Sequence, residues 1–109
     1  MKKELRIYRT KNGNEPFTEW IEVLKDIIGR AQITNRLNRT VLGNYGDSDS
    51  VGGGVCELRI HYGPGYRVYF AEQENTILLL LLGGSKRTQD RDIKKAKQFL
   101  AEFRERCYD

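Results

Sequence analysis

The spacing of apolar side chains divides the chain into seven predicted elements. Alternation of apolar and polar positions predicts strands, and apolar positions three or four apart predict amphipathic helices. The prediction is a strand over 4–10, a helix over 16–27, a second helix from Gly29 to Gly43, strands over 55–61, 66–72 and 76–82, and a last helix after Gly83 and Gly84, with Thr88 or Asp90 as its N-cap. The glycine-rich segment 44–54 has no apolar period and is expected to be a mobile loop. Arg36 and Arg39 on the second helix are expected to be solvated.

The two middle strands form a predicted hairpin whose faces can be assigned. Tyr62-Gly63-Pro64-Gly65 is typical of a hairpin turn. A shift of one residue would turn the whole apolar set into water, so Leu58 and Val68 share the buried face only if the loop has an odd number of residues. The opposite face then carries Arg59, His61, Arg67 and Tyr69. The strand 76–82 is apolar on both faces and is expected to be central or well buried.

Composition limits the class of protein. The chain has 109 residues and 12.7 kDa, which suits one domain over 1–109. Apolar residues make up 39% and charged residues 31%, too apolar for a disordered tail and too charged for a membrane protein. The longest apolar run, Ile77 to Leu82, is far shorter than the roughly twenty residues of a membrane span. With no secretory pattern at the start, we expect a cytoplasmic protein without membrane partners.

Charge and cysteine content narrow the candidate chemistry. The net charge of +4 is unevenly distributed, with basic blocks at both ends and in the middle. A polyanionic partner is favoured if the fold brings the blocks together, and a solvated basic surface is the alternative. Cys56 and Cys107 have neither zinc-ligand spacing nor the density of a disulfide scaffold and are interpreted as free thiols. His61 is the single histidine and has no cluster of ligands around it, so no metal and no cofactor is expected.

Two groups of cations are candidate site residues. Lys86 and Arg87 stand just before a predicted helix N-terminus, where the helix dipole disfavours cations and a bound phosphate would reverse that cost. Arg59 and Arg67 lie on neighbouring strands of one face and repel each other unless Glu57 or a ligand pairs with them. Solvated cations and an exposed strand histidine are the alternatives. Tyr62 and Tyr69 could stack on bases, although aromatic residues also favour strands for structural reasons.

Four segments carry a resemblance to a known family. They are Glu57-Leu58-Arg59-Ile60, Gly63-Pro64-Gly65-Tyr66-Arg67-Val68-Tyr69-Phe70, Leu82-Gly83-Gly84-Ser85-Lys86 and Gln89-Asp90-Arg91-Asp92-Ile93. Together they resemble the RelE/ParE toxin superfamily of bacterial toxin–antitoxin modules, in its phage-derived addiction-module killer (HigB-like) branch. The resemblance extends from the first strand to the last helix.

The resemblance implies both a fold and a function. The implied fold is α+β, in the order β-α-α-β-β-β-α, with a mainly antiparallel sheet, the two N-terminal helices on one face, a C-terminal helix, and a basic cleft on the other face. The implied function is a ribosome-dependent mRNA interferase, an endoribonuclease that inhibits translation and is neutralised by a cognate antitoxin, expected to be a small helix-turn-helix protein encoded next door. Some nucleases of the family carry paired lysines on the second strand, where this chain has Val55 and Glu57, and a tyrosine near the start of the last helix, where it has Gln89 and Arg91.

The resemblance also suggests roles for individual residues. Arg67 matches the position that stabilises the transition state, and Lys86 and Arg87 match the segment that holds the scissile phosphate. Metal-free RNA cleavage needs in-line attack by a 2′-hydroxyl, cations on the phosphate and groups that transfer protons. The predicted catalytic set is Arg67, Lys86, Arg59 and His61, with His61 as base or acid, and the predicted RNA contacts are Arg87, Tyr69, Tyr62 and Tyr66. Tyr66 is a weaker candidate base because its strand parity directs it toward the core.

Two other functions fit the same sequence. A ParE-like inhibitor of DNA gyrase would use the same fold as a binding protein. A non-catalytic RNA-binding domain would show salt-sensitive RNA affinity without cleavage.

Overall fold

The computed structural model describes residues 2–107 as one mixed five-stranded sheet with three α-helices. The elements are β1 (Glu4–Ile7), α1 (Pro16–Val23), α2 (Ile27–Val41), β2 (Ser48–Gly52), β3 (Val55–Ile60), β4 (Tyr66–Gln73), β5 (Ile77–Ser85), a short 3₁₀-helix (Lys86–Thr88) and α3 (Gln89–Cys107). The strand order is β1-β5-β4-β3-β2, with β1 parallel to β5 and the other pairs antiparallel. The α+β class is therefore confirmed. The strand β5 lies between β1 and β4 and is well buried, as its two apolar faces predict.

Both faces of the sheet are covered by helices. On one face, α1 and α2 pack on β3, β4 and β5 through a core that includes Phe17, Ile33 and Val68. On the other face, α3 packs through Ala96 and Leu100 on a second core. The resemblance implied a basic cleft on that second face, but much of it is closed, because apolar strand residues there, such as Leu79 and Leu81, need the cover that α3 supplies.

The two N-terminal helices are divided earlier than predicted. The chain leaves the helix after Val23, and Asp26 caps α2, its Oδ1 accepting from the Gly29 nitrogen at 2.9 Å. Gly29 lies inside α2, where a Cβ would come within 2.6 Å of Tyr66 Cε2. At the other end, Leu42 is the C-cap and Gly43 follows it with a φ of +95°, its N–H donating to the Thr40 carbonyl.

The segment predicted to be a mobile loop contains β2, an edge strand paired with β3. Its polar sequence has no buried face to create an apolar period, so pattern reasoning missed it. Arg36 holds the start of the segment by donating to the carbonyls of Tyr45 and Asp47 at 2.7 to 3.0 Å. The prediction that this arginine is solvated is therefore wrong.

The strand β5 continues three residues beyond its predicted end at Leu82, to Ser85. A bulge between the pairs Tyr69↔Leu82 and Phe70↔Leu80 places one extra residue in β5, and pairing with β4 then extends to Ser85. Gly83 and Gly84 belong to the strand, and glycine is needed at both positions because helices lie close on the two sides of the sheet. A Cβ on Gly83 would meet the Trp20 ring at 2.1 Å, and one on Gly84 would meet Asp92 Oδ2 at 2.0 Å.

The start of the last helix also differs in detail. Ser85 and Thr88 form a capping box around the 3₁₀-helix. The Thr88 hydroxyl donates to Asp92 Oδ2 at 2.5 Å. Thr88 directly precedes α3, but its side chain is the N3 partner of the Ser85 cap and is not seen to cap α3 as predicted. Asp90 is exposed in the first turn of α3.

Candidate functional site

The predicted hairpin places the two strand arginines side by side. Arg59 pairs with Arg67 across β3 and β4, and Leu58 pairs with Val68 on the opposite face. The last ladder pair is Ile60↔Tyr66, which leaves the odd loop 61–65 between the strands. Arg67 in turn pairs with Gly84 of β5, so Arg59, Arg67 and Gly84 form one row across three strands. The face assignment made from the sequence is confirmed.

A buried carboxylate, that of Glu57, lies next to this row and pairs with both arginines. Glu57 is 1% exposed, and its carboxylate accepts from Arg59 Nη1 at 3.0 Å and from Gln89 Nε2 at 2.9 Å. Arg67 Nη1 lies 3.9 Å from the same carboxylate, and Arg67 Nε is buried without a hydrogen-bond partner. Arg67 is 8% exposed, so a phosphate reaches it only if the surrounding side chains move.

Arg59 is held by three carboxylates at once. Its guanidinium donates to Asp47 Oδ1 at 2.7 Å, to Asp49 Oδ2 at 2.6 Å and to Glu57 Oε1 at 3.0 Å. Hydrogen bonds that Arg59 donates to Asp47, and then to Asp49, raise its pKa above the ordinary value. Its positive charge is thus offset inside the protein, which leaves little of it for a substrate.

His61 lies at the open end of the hairpin and pairs with an acid that sequence reasoning did not single out. Its side chain is 75% exposed, and Nε2 lies 2.5 Å from Asp47 Oδ2. Hydrogen bonds from Arg59 and then His61 hold the pKa of Asp47 well below its usual range. An imidazole paired with an ionised carboxylate is an arrangement used for proton transfer.

Lys86 and Arg87 lie at the same end of the sheet. Both are exposed in the 3₁₀-helix, and the backbone nitrogen of Lys86 donates to the Gly65 carbonyl at 2.9 Å, which fixes the segment to the hairpin loop. Together with residues 88–91 they line a shallow cavity of about 460 Å³ at the start of α3. Within residues 2–107 neither cation has an ion-pair partner. Since β3 and β5 are two strands apart, His61 and Lys86 leave the sheet roughly 10 Å from each other.

The three candidate tyrosines are not equivalent. Tyr66 is 5% exposed and donates to Asp26 Oδ2 at 2.7 Å, as its predicted direction toward the core requires. Tyr69 is fully buried, where desolvation and then Glu57 raise its pKa. Neither ring has a free face on which a base could stack, because both fill the cores on the two sides of the sheet. Tyr62 is half-buried against the α1–α2 core.

Four residues of this region were not singled out as site residues from the sequence. They are Asp47, Asp49, Glu57 and Gln89. The two aspartates belong to the segment read as a loop, and only strand pairing brings them to Arg59. A signal did exist for Glu57, which shares the face of Arg59 and was recognised as a partner that could relieve the repulsion of the arginines.

Three further features concern metal ligands, membrane spans and thiols. Among the described residues, no group of three or more His, Cys, Asp or Glu side chains is placed to hold a metal ion. No helix in residues 2–107 is both long and apolar enough to cross a membrane. Cys56 and Cys107 are free thiols, as predicted.

The fold and this region define the protein as an α+β domain with an imidazole–carboxylate pair and unpaired cations at one end of its sheet. The chain is 46% identical over 87 residues to a protein of Haemophilus influenzae (strain ATCC 51907 / DSM 11121 / KW20 / Rd) described as an uncharacterized protein. The match covers 80% of this chain and 88% of the Haemophilus protein. The chain therefore belongs to the same family as that protein. No family model matches the sequence.

Proposed function

We propose that the protein is a RelE/ParE-like toxin of a type II toxin–antitoxin module and acts as a ribosome-dependent mRNA endoribonuclease. The observation that carries the proposal is that the His61–Asp47 pair and the exposed cations Lys86 and Arg87 follow strands that finish at the same end of the sheet. An RNA linkage held there would meet both a proton-transferring group and positive charge. The partners are mRNA on the ribosome and a cognate antitoxin, and the place of action is the cytoplasm.

The α+β architecture supports the toxin fold that the sequence resembles. Two helices on one face, three antiparallel strands and a C-terminal helix follow in the implied order, and β1 joins the same sheet. The edge strand β2 is an addition to the implied order.

The proposed reaction is attack of a ribose 2′-hydroxyl on the adjacent phosphorus. The O2′–P bond forms and the P–O5′ bond breaks, which yields a 2′,3′-cyclic phosphate and a free 5′-hydroxyl. His61 accepts the 2′-hydroxyl proton, and the leaving 5′-oxygen takes a proton from water. Lys86 and Arg87 offset the charge that develops on the phosphate oxygens. Arg67 joins them only after the side chains that bury it have moved.

Cleavage of RNA on programmed ribosomes tests the proposal. The wild-type protein should produce mRNA fragments with new 5′ ends, and induction in cells should arrest translation. His61→Gln should lower the cleavage rate by about 100-fold, the usual scale for a general acid or base. Lys86→Ala combined with Arg87→Ala should lower it by about tenfold or more through lost phosphate contacts.

A matched variant distinguishes the loss of positive charge at Lys86 and Arg87 from the loss of positive charge elsewhere on the protein. Lys94→Ala combined with Lys95→Ala removes the same two charges from exposed positions further along α3. It should cleave at nearly the wild-type rate. Equal losses in the two double variants would contradict a phosphate site at Lys86 and Arg87.

One observation favours a second function, inhibition of DNA gyrase by a ParE-like toxin. Two of the predicted catalytic cations are not free, because Arg59 is held by three carboxylates and Arg67 is buried. Induction that produces DNA breaks while mRNA stays intact would support this function. Salt-sensitive RNA binding with neither kind of damage would instead indicate a non-catalytic RNA-binding domain.

A further inference from the structure

Asp47 bridges two of the candidate site residues. Its Oδ1 accepts from Arg59 Nη2 at 2.7 Å and from Arg59 Nε at 3.1 Å, and its Oδ2 lies 2.5 Å from His61 Nε2. No other acidic side chain in residues 2–107 forms an ion pair with His61.

The backbone of Asp47 is fixed as firmly as its carboxylate. The Asp47 carbonyl accepts from Arg36 Nη2 at 2.7 Å and from the Arg59 backbone nitrogen at 2.9 Å. Arg59 is itself held by Asp49 and by the buried Glu57. The exposed imidazole of His61 therefore meets a rigid acceptor in Asp47, and this contact favours one orientation of the ring.

We propose that Asp47 is the positioning residue for His61, holding the Nε2 side of the ring so that Nδ1 accepts the 2′-hydroxyl proton of the RNA. This inference rests on the proposed nuclease function. Asp47 is ionised at neutral pH and has no proton to donate, so the bond to it is made by the imidazole N–H at Nε2. When Nδ1 takes the proton, the ring becomes an imidazolium whose charge is offset by Asp47, and the carboxylate itself gains no proton.

The chain provides a matched control for this assignment. Asp49 binds the same Arg59 guanidinium as Asp47, yet its carboxylate makes no hydrogen bond to His61. Asp47→Ala removes the contacts to Arg59 and His61 together, whereas Asp49→Ala removes a contact to Arg59 alone. Asp47 makes two hydrogen bonds to Arg59 where Asp49 makes one, so a difference in catalysis between the variants is assigned to His61 only when it disappears in the His61→Gln background.

Single-turnover cleavage on programmed ribosomes, with binding measured separately, tests the proposal. Asp47→Ala should lower the cleavage rate at saturation by about tenfold while ribosome affinity stays within about twofold, and Asp49→Ala should change neither. In the His61→Gln background, Asp47→Ala should cause no further loss, because residues that act as a unit are non-additive. An equal loss in both backgrounds, or an equal loss from Asp49→Ala, overturns the proposal.

Unfolding in urea, followed by the fluorescence of the single Trp20, adds a readout independent of cleavage. Asp47→Ala should lower the urea midpoint less in a His61→Ala background than in the wild type, because alanine has no donor and the contact to Asp47 is already absent there. Equal shifts overturn the contact and the proposal with it. Failure of the wild-type protein to cleave overturns the nuclease function, whereas cleavage with additive losses overturns the role of Asp47 alone.

Discussion

Replacing Glu57 with alanine should be among the most destabilising single changes in this protein. The carboxylate is 1% exposed and accepts two hydrogen bonds, from Arg59 and Gln89, with Arg67 close by. Hydrogen bonds to a charged group are worth about 1.5–3 kcal/mol each, and removing the carboxylate leaves Arg67 buried without a counter-charge. The carboxylate no longer has to be desolvated, which offsets part of this loss. Breaking a buried ion pair from one side costs about 3–5 kcal/mol, and we expect a value in that range.

The assay is urea unfolding monitored by the fluorescence of Trp20. With a slope of about 1.5 kcal/mol per molar urea, the midpoint should fall by about 2 M or more. Glu57→Gln keeps the shape and one acceptor, so it should cost less. Glu105→Ala removes a carboxylate from an exposed position on α3 and should change stability by no more than about 0.5 kcal/mol. A loss below about 1 kcal/mol for Glu57→Ala would refute the idea that this carboxylate stabilises the buried arginine.

Two further predictions concern packing and pH. Gly83→Ala should destabilise the protein by about 1–3 kcal/mol, because the new methyl group meets the Trp20 ring between α1 and β5. The same urea titration measures this loss, and an unchanged midpoint would contradict the close packing at Gly83. Burial and the hydrogen bond to Asp26 raise the pKa of Tyr66 to about 12, above its unfolded value near 10. The stability this contributes is complete below about pH 10 and is lost as pH rises toward about 12, so the wild type should lose more stability over that interval than Tyr66→Phe.

The strand faces and the hairpin register could be predicted from the sequence because apolar and polar residues alternate along the hairpin strands. Leu58 and Val68 lie opposite each other, and the need to bury both determined the odd loop and the shared face of Arg59 and Arg67. The apolar run in β5 indicated a central or well-buried strand for the same reason. These inferences need only the period of the strand and the tendency of apolar side chains to leave water.

The candidate site was harder to predict because the spacing of charged residues along the chain does not show which of them form pairs. The sequence singled out His61, Lys86 and Arg87, which the fold does bring to one end of the sheet. Asp47 was missed because the polar strand β2 looks like a loop until β3 pairs with it. The burial of Arg67 and Tyr69 was missed because the extent to which α3 covers their face depends on how it crosses the sheet.

From its sequence alone, the chain is committed to an α+β architecture and to the side of the sheet on which each strand residue lies, since both follow from local periodicity. The pairing of distant segments is a different matter. Within residues 2–107, the carboxylates that bind Arg59, the acid that contacts His61 and the cations without an ion-pair partner are determined by the pairing of β2 with β3 and the packing of α3 on the second face. An ion pair depends on distances in space that residue spacing along the chain does not encode.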